Sequence, residues 1–124
     1  MTVWLLVVLG AALGAPSRWL LDGYIQARHD SVMPWGTFTI NVIGSFLLGL
    51  LLGASLEGEQ LTRLVALLGT GFCGAFTTFS TFAYESVVLA EEGSSPIAVL
   101  NVVGSVVVGL AVAFAGWGLA GAVF

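Results

Sequence analysis

The chain has 124 residues, room for a single domain, of which 58% are hydrophobic and 8% charged. Soluble domains carry about 25% charged residues, so the charge here is too sparse to cover a water-facing surface, which excludes a freely soluble enzyme. Three Arg and no Lys stand against seven acidic residues, which excludes a basic nucleic-acid binder, because phosphate neutralisation takes clustered cations. One cysteine (Cys73) and one histidine (His29) exclude an intrachain disulfide framework, a Cys-based zinc site and a His-rich metal centre.

Mean hydropathy is +1.06. A membrane-spanning helix takes about 20 apolar residues, and four such helices with short links fill the chain. The first apolar block covers residues 3–21. It has no basic residue before it, and the block is read as a retained span rather than a cleaved signal. A polar stretch from Asp22 to Ser31 follows. The second block, residues 35–56, opens on Pro34-Trp35-Gly36, with proline suited to a first helical turn and tryptophan to the interface. Glu57-Gly58-Glu59-Gln60 separates it from the third block, residues 61–89. Ser95-Pro96 reads as an N-cap with proline behind it, opening the fourth block at residues 97–124. The expectation is an all-α integral membrane protein, a single domain over residues 1–124 with four transmembrane helices.

Charged residues fall in the links or at block ends, apart from Arg18 and Glu85. Charges inside spans face protein or water, or snorkel to the headgroups. Arg18 and Arg28 flank the first link, Arg63 the second, and none the third. The positive-inside rule has little to act on. This fits either a weakly biased chain or one that inserts both ways up and pairs with its inverted copy. Asn41-Val42-Ile43-Gly44-Ser45 returns as Asn101-Val102-Val103-Gly104-Ser105, an offset of 60 residues, which reads as a duplicated helix pair or as chance likeness between apolar helices.

Thr37, Asn41, Ser45, Gly49 and Gly53 share one helical face, each a turn after the last. Small residues let backbones approach, and Asn or Ser then bonds across the contact. An asparagine amide carries more hydrogen-bonding capacity than packing requires, so Asn41 is a functional candidate. In the third block, Gly69, Gly71 and Gly74 with Thr77, Thr78 and Thr81 are poor helix material. They predict an interrupted helix, tolerated at membrane depth only where it is buried in protein or binds something. Phe79 and Phe82 share a face there, beside a line of Thr77, Thr81 and Glu85. That is either an ordinary packed pair or a path for an anion, since a phenyl edge is positive and hydroxyls and amides donate.

The run Gly71-Phe72-Cys73-Gly74-Ala75-Phe76-Thr77-Thr78-Phe79-Ser80-Thr81-Phe82 resembles the signature of the Fluc (CrcB) family of fluoride channels. Gly14 to Arg18-Trp19 and Gly36-Thr37 to Asn41-Val42-Ile43-Gly44 are similar to the same family, and the likeness covers all four spans. The resemblance implies an antiparallel dual-topology homodimer with a broken third helix in each subunit. Two pores would export fluoride passively from the cytoplasm through the cell inner membrane, reducing fluoride toxicity. Carried over residue by residue, it puts Phe79, Phe82, Asn41, Ser80 and Thr81 in the fluoride pore and Glu85 and Arg18 at a vestibule. It also implies a structural sodium ion at the dimer interface, held by the backbone carbonyls of Gly74 and Thr77. Ser105 is assigned to the pore and Asn101 to an interface or vestibule; Ala75 stands where the family often has a second glycine.

Two other functions compete. A proton-coupled multidrug exporter of dual topology would use a carboxylate deep in a span. A non-transporting scaffold would use the glycine faces to gather partners. No Ser/His/Asp set, metal cluster or nucleotide loop supports an enzyme.

Overall fold

The structure, a computed structural model, describes residues 2–123. All its regular elements are helical: α1 (Val3–Gln26), α2 (Trp35–Gly53), α3 (Gly58–Leu64), a π-helical segment (Val65–Cys73), α4 (Gly74–Phe76), α5 (Ser80–Glu91) and α6 (Ser95–Val123). Four stretches are long and apolar enough to cross a membrane: Val3–Gln26, Trp35–Gly53, Gly58–Glu91 and Ser95–Val123. The third is assembled from α3, the π segment, α4 and α5.

The ends differ from the sequence-based bounds. Helix α1 continues through Asp22 to Gln26, because nothing in that stretch breaks its backbone ladder; the Ala27 N–H still donates to the Gly23 carbonyl at 3.1 Å. Helix α2 ends at Gly53 rather than at 56, since Ala54 turns to extended backbone (ψ 144°). The third span is longer than 61–89, and the fourth begins at Ser95. The Ser94 carbonyl takes the first helical bond, from the Ala98 N–H at 2.9 Å, which moves the cap one residue ahead of Ser95. Phe124 lies outside the described residues.

Helix α5 stops at a Schellman motif. Gly93 adopts φ +83°, the Ser94 N–H reaches the Leu89 carbonyl at 2.8 Å and the Gly93 N–H reaches Ala90 at 3.3 Å. A side chain at that φ would be strained, so glycine is required at this turn.

Two seams hold the bundle. Helix α1 packs along the third span, and α2 along α6. Both pairs run parallel, because the contacts climb together: Ser45 meets Gly109, Gly49 meets Ala113 and Gly53 meets Trp117. At the first seam a Cβ on Gly10 would strike the Leu67 carbonyl, and one on Gly14 the Phe72 carbonyl. At the second, a Cβ on Gly49 would strike the Ala113 carbonyl, and one on Gly116 would sit 2.6 Å from the Phe46 carbonyl. In lipid there is no hydrophobic drive between helices, so close backbone approach supplies the contact. The members of the second seam are the blocks that the 60-residue echo relates.

The outside is apolar. Trp4, Leu13, Trp19, Val99, Phe114 and Trp117 all lie exposed, a surface suited to hydrocarbon.

Gly49→Val is expected to destabilise the protein by about 1–3 kcal/mol through overpacking against α6. Gly118→Ala, where an added Cβ meets nothing within 4 Å, is the matched control. Thermal unfolding in detergent checks both; equal melting temperatures for the two variants would contradict the seam.

Candidate functional site at the helix break

The third span opens at Thr77–Phe79. Thr77 is extended (φ −82°, ψ 164°), and helix resumes at Ser80. The Thr77 N–H makes the last bond of the first half, to the Cys73 carbonyl at 2.9 Å. Two side chains then hold the gap. Asn41 of α2 clamps Thr78 from both sides: its Nδ2 donates to the Thr78 carbonyl at 2.9 Å, and its Oδ1 accepts the Thr78 N–H at 2.8 Å. Thr78 caps the second half, its Oγ1 accepting the Thr81 N–H at 3.1 Å while its hydroxyl donates to Thr81 Oγ1 at 3.0 Å. This is the side-chain substitution for helical bonds that N-caps supply elsewhere.

The clamp leaves particular carbonyls free. In an unbroken helix the Thr78 N–H would serve Gly74 and the Thr81 N–H would serve Thr77. Here those donors go to Asn41 and to Thr78 Oγ1. Carbonyl oxygens are hard ligands for a hard cation, so Gly74 and Thr77 fit the donor chemistry of a sodium site. Gly74 and Thr77 of one chain supply two oxygens, fewer than an alkali cation coordinates. No group of three or more His, Cys, Asp or Glu that could hold a metal occurs among the described residues.

Beside the break lies an open cleft of about 430 Å³ between α2, the third span and α6. Asn41, Ser45, Thr77, Phe79, Phe82 and Ser105 line it, together with Gly74. Phe79 is 78% exposed, and its ring centroid stands 5.9 Å from that of the half-buried Phe82, tilted by 53°. Of the sequence candidates, the structure brings Asn41, Phe79, Phe82, Ser105, Gly74 and Thr77 to this cleft. Ser80 and Thr81 are exposed on α5 outside its lining, and Arg18 is half-buried on α1 away from it. Ser45 and Thr77 send their protons back to their own helices, to the Asn41 carbonyl at 2.8 Å and the Cys73 carbonyl at 2.7 Å. The Asn41 amide keeps one N–H beyond the one given to Thr78.

Glu85 sits farther along α5, in a setting of its own. Thr37 of α2 is buried, 4% exposed. Glu85 Oε1 and Asp22 Oδ1 are both buried without a hydrogen-bond partner. Glu85 also lines a second cavity, about 260 Å³, with Gln26, Tyr84 and Glu92. An end of the first helix at Leu21 would leave Asp22 in a link; the continuation to Gln26 is what carries that carboxyl inward. Ser86 is not among the sequence candidates, because nothing in its spacing distinguishes it from a packing serine.

Asn41→Ala is expected to strand the Thr78 N–H and carbonyl, at about 1–3 kcal/mol for each unsatisfied buried group. Asn41→Asp keeps an acceptor for the N–H but sets oxygen against oxygen at the carbonyl, so it too should lower the melting temperature. A wild-type melting curve for either variant would contradict the clamp.

Comparison with known proteins places this geometry. The profile of the family described as CrcB-like protein, Camphor Resistance (CrcB), matches residues 5–117. A protein of Streptomyces avermitilis named Fluoride-specific ion channel FluC 1 is 54% identical over 113 residues, 91% of each chain. A protein of the same name from Frankia casuarinae is 51% identical, covering 98% of each. A protein of Thermus thermophilus named Fluoride-specific ion channel FluC is 42% identical over 96% of this chain and 94% of its own. With the broken third span, its signature run and these full-length likenesses together, the chain belongs to the CrcB family.

Proposed function

We propose that this protein is a fluoride-selective channel, carrying fluoride passively out of the cytoplasm through the cell inner membrane. Membership of the CrcB family and relatives named as fluoride channels support the ion. The observation that carries the mechanism is the cleft, which gathers Asn41, Phe79, Phe82 and Ser105 with no Arg or Lys in its lining. The activity is transport, not catalysis.

The energetics require several weak steps. A bare ion in low dielectric costs tens of kcal/mol, and one hydrogen bond to a charged group returns about 1.5–3 kcal/mol. A row of neutral donors and ring edges can replace hydration piecewise. It also releases the ion, as conduction requires; a buried guanidinium would hold it. Asn41 donates its free N–H, the edges of Phe79 and Phe82 pass the ion on, Ser105 extends the donor row within the cleft, and Ser80 and Thr81 on the exposed face of α5 extend it beyond. Arg18 and Glu85 border the wet approaches.

The working unit in this reading is an antiparallel homodimer. Its support is the exposure of Phe79, a cleft open on one side, and the near-absence of charge bias in the links. A second, inverted copy would close the cleft and double the freed carbonyls of Gly74 and Thr77, giving a sodium ion four oxygens. The ion would tie the two breaks together.

Purified protein in liposomes should release fluoride down its gradient when potassium and valinomycin carry the countercharge, with chloride excluded. The flux should persist without a proton gradient; dependence on one would favour a proton-coupled exporter built on Asp22 and Glu85. Phe79→Ala with Phe82→Ala should abolish fluoride flux while leaving the folded protein in the membrane. Retained flux would remove the rings from the mechanism. Exchange of sodium for a large organic cation, long enough to release a slowly leaving ion, should weaken dimer assembly and flux together.

A further inference from the structure

We infer that Asn101 is a positioning residue of the fluoride pathway, joining the cleft hydroxyl of Ser105 to the backbone of Phe82 through Ser86. This rests on the channel reading above.

Asn101 is 1% exposed and, with Ile40, is the largest fully buried side chain among the described residues. It stands on α6, whose neighbours in sequence are apolar. Burying an amide there is costly unless its groups are paired, and the pairing is specific. Asn101 Nδ2 donates to Ser86 Oγ at 2.9 Å. The Ser86 hydroxyl donates to the Phe82 carbonyl at 2.8 Å. The Ser105 hydroxyl reaches Asn101 Oδ1 at 3.4 Å.

The proton inventory fixes the direction. A serine hydroxyl has one proton. Ser86 gives its proton to Phe82, so its oxygen accepts, and the amide nitrogen of Asn101 must face it. The amide oxygen then faces Ser105. A packing asparagine would stop at the neighbouring helix. This one ends at a cleft-lining residue on each side, Phe82 and Ser105.

Two consequences follow for the pathway. The α5 turn that carries Phe82 is tied to α6, which sets the ring against the cleft. The Ser105 proton is drawn toward Asn101, and the 3.4 Å separation makes that bond weak enough to exchange for one to a passing anion. The two asparagines related by the 60-residue echo thus hold opposite ends of one turn: Asn41 grips Thr78, and Asn101 reaches Phe82 through Ser86.

The test compares fluoride and chloride flux, per folded protein in liposomes, for Asn101→Ala, Ser86→Ala, the double variant and Ser86→Thr. Each alanine variant should lower fluoride flux by roughly tenfold, the scale of one hydrogen bond, and should narrow the fluoride-to-chloride ratio. The double variant should fall no further than the worse single, and Ser86→Thr, which keeps the hydroxyl, should recover the flux. A purely structural asparagine would change the yield of folded protein but not the ion ratio. Wild-type flux and ratio in Asn101→Ala, or multiplying losses in the double, would overturn the inference. Should Asn101→Ala fail to fold, Ser86→Ala decides alone: a wild-type ratio there overturns it. Absence of fluoride flux in the wild type would instead overturn the channel reading itself.

Discussion

The structure turns on a two-point hydrogen bond between the Asn41 amide and the backbone of Thr78. At membrane depth, backbone groups without partners are too costly to leave open. A helix can break there only if something else takes up the lost bonds. Asn41 takes up both groups of one peptide residue at once, and Thr78 Oγ1 serves the next free amide, that of Thr81. The break is therefore a built feature of the third span. It turns Phe79 outward and sets Phe82 beside it.

Everything else keeps that geometry in place. The glycine seams bring α1 against the π segment and α2 against α6 at backbone contact, so Asn41 arrives at a fixed height beside Thr78. The π segment lies on the α1 seam, where Gly71 itself sits 2.7 Å, measured from an added Cβ, from the Val7 carbonyl. Asn101 and Ser86 fasten the far side of the break to α6. Charge contributes little: the Arg63–Glu59 pair, at 2.7 Å, is exposed on α3 and lies within one helical turn, where such pairs are worth about 0.3–0.5 kcal/mol.

Much of this is legible in the residues. Four apolar blocks announce four spans, and the Gly/Thr run announces the interruption, because both signals are local. The Phe79–Phe82 pair follows from helical spacing. Asn41 stands out as a functional candidate, but its task is only half readable: spacing puts it on an inner face, while its grip on Thr78, thirty-seven positions away in the chain, requires α2 to meet the third span. Asp22 reads as part of a link wherever the helix end is set at the last apolar residue. Asn101 reads as an interface or vestibule residue and Ser86 as a packing serine, since a hydrogen-bonded line across two helices leaves no periodic trace.

The sequence by itself determined the solvent, the number of spans, the place of the break and the absence of fixed charge at its centre, since each follows from residue type and near-neighbour spacing. Tertiary structure alone decided which backbone groups the break leaves free, which hydroxyls keep their protons at home and which face the cleft. Those outcomes depend on where two separated helices touch, and a hydrogen bond of about 2.9 Å is settled by that docking rather than by local propensity.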